Sequence, residues 1–90
     1  MKVTYDPAKR ERTLLERNLD FARASEVFEG HHFTWVDDRE DYGEQRHITV
    51  GKLDGRMVVL VWTLRGKSRR IISLRKANER EQARYGNRVD

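Results

Sequence analysis

Residues 46–75 read RHITVGKLDGRMVVLVWTLRGKSRRIISLR. Three strand-like runs are joined here by two turn signals, and this pattern decides the fold. Residues 46–52 alternate, with Ile48 and Val50 on one face. Asp54-Gly55 is a strong hairpin signal. Residues 56–64 form a continuous apolar run, as expected for a central strand covered on both sides. Residues 65–68 contain Gly66 and turn the chain. Residues 69–75 form a last strand, with Ile71, Ile72 and Leu74 apolar.

Outward from this meander, the period changes. Residues 33–36 read as a short strand, followed by an acidic, turn-rich loop over 37–44. Upstream, residues 2–5 read as a strand. Asp6-Pro7 then opens a helix over 8–17, because Asp caps well and Pro suits the first helical position. Ala8, Leu14 and Leu15 offer it a narrow apolar stripe, and Asn18 tolerates the left-handed conformation that ends helices. Asp20 caps a second helix over 21–29, ended by Gly30, with Phe21, Ala24, Val27 and Phe28 on one buried face. Downstream, Asn78 and Glu81 form a variant capping box for a terminal helix over 79–85 that stops near Gly86. The predicted order is β-α-α-β-β-β-β-α. This is an α+β fold with helices packed on a mostly antiparallel sheet.

Ninety residues allow one core, so residues 1–90 are read as one domain. With no cysteine, disulfides and thiolate metal sites are excluded. His31 and His32 are adjacent and do not share a strand or helix face, so they read as a loop pair and no metal site is assigned. No cofactor motif is present. The longest apolar run, Met57 to Trp62, falls far short of the roughly 20 residues a bilayer needs. No signal-like segment follows Met1, and a cytoplasmic, membrane-free location is expected.

Charge is distributed unevenly. The chain carries 19 Lys and Arg against 15 Asp and Glu, a net charge of +4. Residues 61–90 alone hold nine bases against three acids. From Arg65 to Lys76 there are six bases and no acid: Arg65, Lys67, Arg69, Arg70, Arg75 and Lys76. Arginine grips phosphate with a planar fork, so this 65–76 face is read as meeting polyanions. Trp35 and Trp62 lie on strands, where aromatic rings stack bases or fill a core; Trp62, in the most apolar stretch, is assigned to the core. A basic sheet suffices for RNA cleavage in which the 2′-OH attacks its own phosphate. Arginines stabilise the pentacoordinate phosphate, and Glu44, His47 or Tyr85 serve the proton transfers.

Several segments together resemble a known family. They are Tyr5-Asp6-Pro7-Ala8-Lys9; Leu19-Asp20-Phe21 with Ala24 and Val27-Phe28; Glu44 and Arg46 leading into Ile48-Thr49-Val50-Gly51; and Trp62-Thr63-Leu64-Arg65. The most specific is residues 70–85, RIISLRKANEREQARY. The chain resembles the BrnT-type toxins of bacterial type II toxin–antitoxin systems, within the RelE-like ribonuclease group. The resemblance implies a metal-independent ribonuclease that blocks translation. It implies a neighbouring antitoxin, BrnA-like with a ribbon-helix-helix part, through which alone operator DNA is bound. It points to Lys9, Glu44, Arg46, Arg65, Arg70 and Arg75. On this reading Arg65 and Arg75 neutralise the scissile phosphate, with Arg46 beside them. Glu44 is preferred to His47 as base. Lys9, Arg70, Lys76 and Tyr85 hold the RNA. His47 stands where an aromatic is common, and Leu64 where a polar residue is common. The alternative is a non-catalytic nucleic-acid-binding module using the same basic face. A pure interaction protein is a third reading. Purified RNA separates them: discrete products, a shifted intact band, or no effect.

Overall fold

The computed structural model describes residues 1–89. Its elements are β1 (Lys2–Tyr5), α1 (Pro7–Arg17), a 3₁₀ turn (Phe21–Arg23) running into α2 (Ala24–Glu29), β2 (Phe33–Asp37), β3 (Arg46–Leu53), β4 (Arg56–Arg65), β5 (Ser68–Lys76) and α3 (Glu79–Val89). The strands form one sheet in the order β1-β5-β4-β3-β2. The meander β2-β3-β4-β5 is antiparallel, and β1 joins β5 in parallel. The α+β class and the element order read from the sequence are those observed. Asp54 and Gly55 both have positive φ, 53° and 77°, which brings β3 back as β4 in a two-residue turn.

The sheet is covered on both faces. On the first, Phe21, Ala24 and Val27 pack on Val58, Leu60, Trp62, Ile71 and Leu74. The helical layer lies close to the strands: a Cβ on Gly51 of β3 would sit 2.5 Å from Val27 Cγ1. On the second face, Ala77 and Val89 close over Ile48, Val50 and Val59. Trp62 belongs to the first core and donates from Nε1 to Thr49 Oγ1 at 2.8 Å.

A register shift in β5 sets which side chains face where. Val61 pairs with Ser73, but Trp62 pairs with Ile71, so Ile72 is an extra residue. Strict alternation puts Ile71 and Leu74 on opposite faces; the bulge puts both in the first core.

Three helical expectations are corrected. Helix α1 buries no residue, and Leu15 is 81% exposed. Ala8, Leu14 and Leu15 therefore do not form a core stripe. The helix turns a polar face inward instead. Arg10 pairs with Asp20 at 2.7 and 3.0 Å, Arg17 Nη1 donates to the Leu74 carbonyl at 3.0 Å, and Lys9 Nζ to the Ile72 carbonyl at 3.5 Å. The chain's apolar weight falls after the helix, on Leu19 and Phe21. Second, the 21–29 segment begins as a 3₁₀ turn capped by Asp20, which accepts from Ala22 N at 2.9 Å. Third, α3 continues through Gly86 to Val89. A helical glycine costs about 1 kcal/mol, whereas burying a valine returns about 1.5 kcal/mol or more, and Val89 is 4% exposed. The capping box at its start is present: Glu81 N donates to Asn78 Oδ1 and Asn78 N to Glu81 Oε1.

Candidate functional site

Helix α3 covers only part of the second face. Beyond it, Thr4, Arg70, Thr63, Arg46 and Asp37 are register partners across all five strands and project in one row. Arg65, two residues past Thr63 on β4, projects on the same side. Lys9 and Asp6 reach this row from the start of α1, and Glu44 from the loop before β3. Asp6, Lys9, Glu44, Arg46, Arg65 and Arg70 line an open pocket of about 190 Å³ floored by Ile71 and Ile72. Five sequence-predicted residues are thus brought together from α1, the 38–45 loop, β3, β4 and β5.

Glu44 sits between two of the cations. Its Oε1 accepts from Arg65 Nη2 at 3.2 Å and its Oε2 from Arg46 Nε at 3.4 Å. These long contacts hold the carboxylate among the arginines without locking either fork. The Arg46 guanidinium also lies 4.1 Å from the centre of the Tyr42 ring. Among the described residues, Arg70 and Lys9 make no ion pair. Four cations and two carboxylates leave the pocket positive, with donors placed before any ligand arrives.

The loop carrying Glu44 is braced from below. Asp37, with its side chain 1% exposed, accepts from Arg39 Nε and Nη2 at 2.8 Å each and from the Tyr42 hydroxyl at 3.2 Å. The Arg39 guanidinium holds the Asp37 carboxyl down to about 2, and Asp37 in turn raises Arg39. Thr63 Oγ1 donates to the Gln45 carbonyl at 2.7 Å and ties the loop to β4. This bracing went unread in the sequence. Its signal was the Asp-x-Arg spacing of Asp37 and Arg39, followed by Tyr42. Asp6 was read only as a cap, which it is: it accepts from Ala8 N at 2.9 Å.

The other predicted residues lie elsewhere. Arg75 projects from the second face under the start of α3, where Glu81 accepts from both of its terminal nitrogens at 2.7 and 2.8 Å. Glu81 raises Arg75, and Arg75 holds Glu81 low. Lys76 borders a separate cavity of about 400 Å³ with Arg17, Leu19, Arg56 and Val58. Tyr85 stacks on Trp35, centroids 5.1 Å apart. His47 lies on the first face against Trp62, 4.5 Å centroid to centroid, and does not line the pocket. Arg69 points to that same first face, over the Phe28 ring at 3.8 Å, and burial pushes its guanidinium below the ordinary arginine value. The bases of the 65–76 run therefore do not share one surface; of them only Arg65 and Arg70 line the pocket. Among the described residues no three His, Cys, Asp or Glu side chains stand together as a metal site requires, and no helix is long and apolar enough to cross a membrane.

The family model for the ribonuclease toxin BrnT of type II toxin–antitoxin systems matches residues 5–81, and the chain belongs to that family. It is the toxin component of such a system, a ribonuclease whose partner is a cognate antitoxin. A comparison with curated proteins finds no match to this chain.

Proposed function

We propose that residues 1–90 act as one toxin domain that cleaves RNA in the cytoplasm without a metal ion and so blocks translation. The observation that carries this reading is the meeting of Lys9, Arg46, Arg65 and Arg70 around Glu44 in one open pocket. The scissile phosphate lies among Arg46, Arg65 and Arg70. Their forks stabilise the charge that builds on the phosphorane. Glu44, held between Arg46 and Arg65, takes the proton from the attacking 2′-OH; the bond from the 2′-oxygen to phosphorus forms as the bond to the 5′-oxygen breaks, and the leaving oxygen takes a proton back from Glu44 or from water. Lys9 holds a neighbouring phosphate. Arg75 acts at a distance, anchoring α3 through Glu81; Lys76 and Tyr85 contact RNA outside the cleavage pocket. The antitoxin is a BrnA-like protein with a ribbon-helix-helix part, and operator DNA is reached only through it.

The test is the chemistry of the cut. Cleavage survives EDTA. A substrate with 2′-O-methyl at the scissile nucleotide is left whole. The 5′ product ends in a 2′,3′-cyclic or 3′-phosphate, and the 3′ product begins with a 5′-hydroxyl. A 5′-phosphate product, or activity restored only by magnesium, defeats the mechanism. A shifted but intact RNA band defeats catalysis and leaves binding.

A further inference from the structure

The second face of the sheet carries another feature that the cleavage chemistry does not use. Phe33 and Trp35 alternate on β2, so both rings project toward α3. Tyr85 of α3 lies nearly parallel to both, 6.0 Å from Phe33 and 5.1 Å from Trp35, at 26° and 22°. Arg88 stands 4.4 Å over the Phe33 ring and Arg84 5.5 Å over Tyr85. These five residues alone line an open pocket of about 300 Å³ with no carboxylate among them. Three half-buried rings rimmed by two exposed guanidiniums are more than core packing needs. Among the described residues neither guanidinium pairs with an acid, whereas Arg75 is paired with Glu81.

We propose that this β2–α3 platform is a second RNA subsite, which stacks an unpaired base outside the cleavage pocket and binds its phosphate. The proposal rests on the ribonuclease reading above and extends it to the substrate: single-stranded RNA longer than the cleaved dinucleotide. Unpaired bases stack on aromatic faces and on arginine planes, and the two guanidiniums, which make no ion pair among the described residues, match the phosphates of the same strand. The platform is continuous with the cleavage pocket on the sheet. Trp35 is two residues from Asp37, about 7 Å along the strand, and Asp37 is the register partner of Arg46. At the pocket end of this stretch Tyr42 stacks on Arg46, and the exposed Arg39 pairs with Asp37. A strand entering at Arg65 and Arg70 thus meets guanidinium and ring in alternation on its way to Tyr85.

The probe is a hexanucleotide RNA, 2′-O-methylated throughout so that it binds without being cut. Binding quenches Trp35 fluorescence, and the quench is lost in Trp35→Phe. Tyr85→Leu weakens binding about 5- to 150-fold, the range for removing one base stack, and Tyr85→Phe restores it. The double variant Arg84→Glu/Arg88→Glu, confined to exposed side chains, weakens binding at least tenfold. It also flattens the salt slope by about 1.4, or 0.7 for each phosphate that is no longer neutralised. Wild-type affinity and salt slope in the double variant overturn the subsite, whatever becomes of Tyr85→Leu. So does a quench that persists in Trp35→Phe. Loss of antitoxin binding with RNA affinity intact also overturns it and assigns the platform to the protein partner. Stacking of the hexanucleotide by a chain that cuts no natural RNA sinks the ribonuclease mechanism and leaves the subsite. Cleavage indifferent to all these substitutions does the reverse.

Discussion

Arg70 and Arg75 lie five residues apart on β5 and project from the same face of the sheet, yet they meet opposite fates. Arg75 lies beneath α3 and gives its fork to Glu81. Arg70 lies past the edge of α3, in an open row with Thr63 and Arg46, and forms no ion pair among the described residues. The comparison teaches that a basic run is not a basic site. An arginine paired with a carboxylate has already committed its directional donors to the fold. An arginine held by the strand alone keeps them for a ligand. On this face α3 covers Arg75 and leaves Arg46, Arg65 and Arg70 open.

The largest expected effect separates these two arginines. Arg65→Ala and Arg70→Ala lower the RNA cleavage rate by about 10²–10³ each, by analogy with losing one oxyanion donor, and leave the melting temperature nearly unchanged. Arg75→Ala lowers the melting temperature first. Single-turnover kinetics and thermal unfolding on the same samples show whether the ranking holds; a rate loss for Arg75→Ala as large as that for Arg70→Ala in a fully folded sample breaks it.

Next comes acid. The Asp37 carboxyl is depressed to about 2, so its contribution to stability is complete above the ordinary carboxylate range. That contribution is lost as pH falls from about 4 towards 2, and amounts to about 2 kcal/mol. Glu81, also held low, changes stability in the same direction. Asp37→Asn removes most of this acid dependence, read as stability against pH by denaturant unfolding. Cleavage falls with it, since the Glu44 loop loses its brace.

The pair under α3 is smaller in effect. Glu81→Ala or Arg75→Ala costs about 1–2 kcal/mol, because both side chains are partly exposed and solvent screens the pair. A double variant costs less than the sum of the two, which a double-mutant cycle reads directly. The smallest effect belongs to Lys67, a member of the same basic run that lies in the exposed turn between β4 and β5. Lys67→Ala changes stability by less than about 0.5 kcal/mol, as surface substitutions do. It changes cleavage less than twofold. A larger loss of cleavage shows that total charge matters more than placement.

Much of the fold was legible because its signals are local. The Asp54-Gly55 turn, the caps at Asp6 and Asp20 and the Asn78–Glu81 box each act within a few residues, and each is present. The residues of the arginine pocket were legible one by one through the family resemblance, and Lys9, Glu44, Arg46, Arg65 and Arg70 do converge. Less legible was α1, where two leucines invited an apolar stripe but Arg10 and Arg17 provide the inward face. A helical period says which residues share a side; it does not say which side meets the protein.

The sequence by itself determined the strand order along the chain, the turns, the helix caps and the stock of arginines, because hydrophobic period, backbone preference and charge count are properties of neighbouring residues. Only the tertiary structure decided which arginines are free to act. One reason is the bulge at Ile72, which shifts the alternation of β5 so that Arg70 and Arg75 share a face and Arg69 turns to the other. The second is that ion pairing is non-local. Glu81 reaches Arg75 from the next helix, Glu44 reaches Arg65 across 21 positions of sequence, and no acid among the described residues pairs with Arg70. Whether a charge is neutralised, stacked or left open depends on where the chain returns in space, and that is set by the packing of both cores.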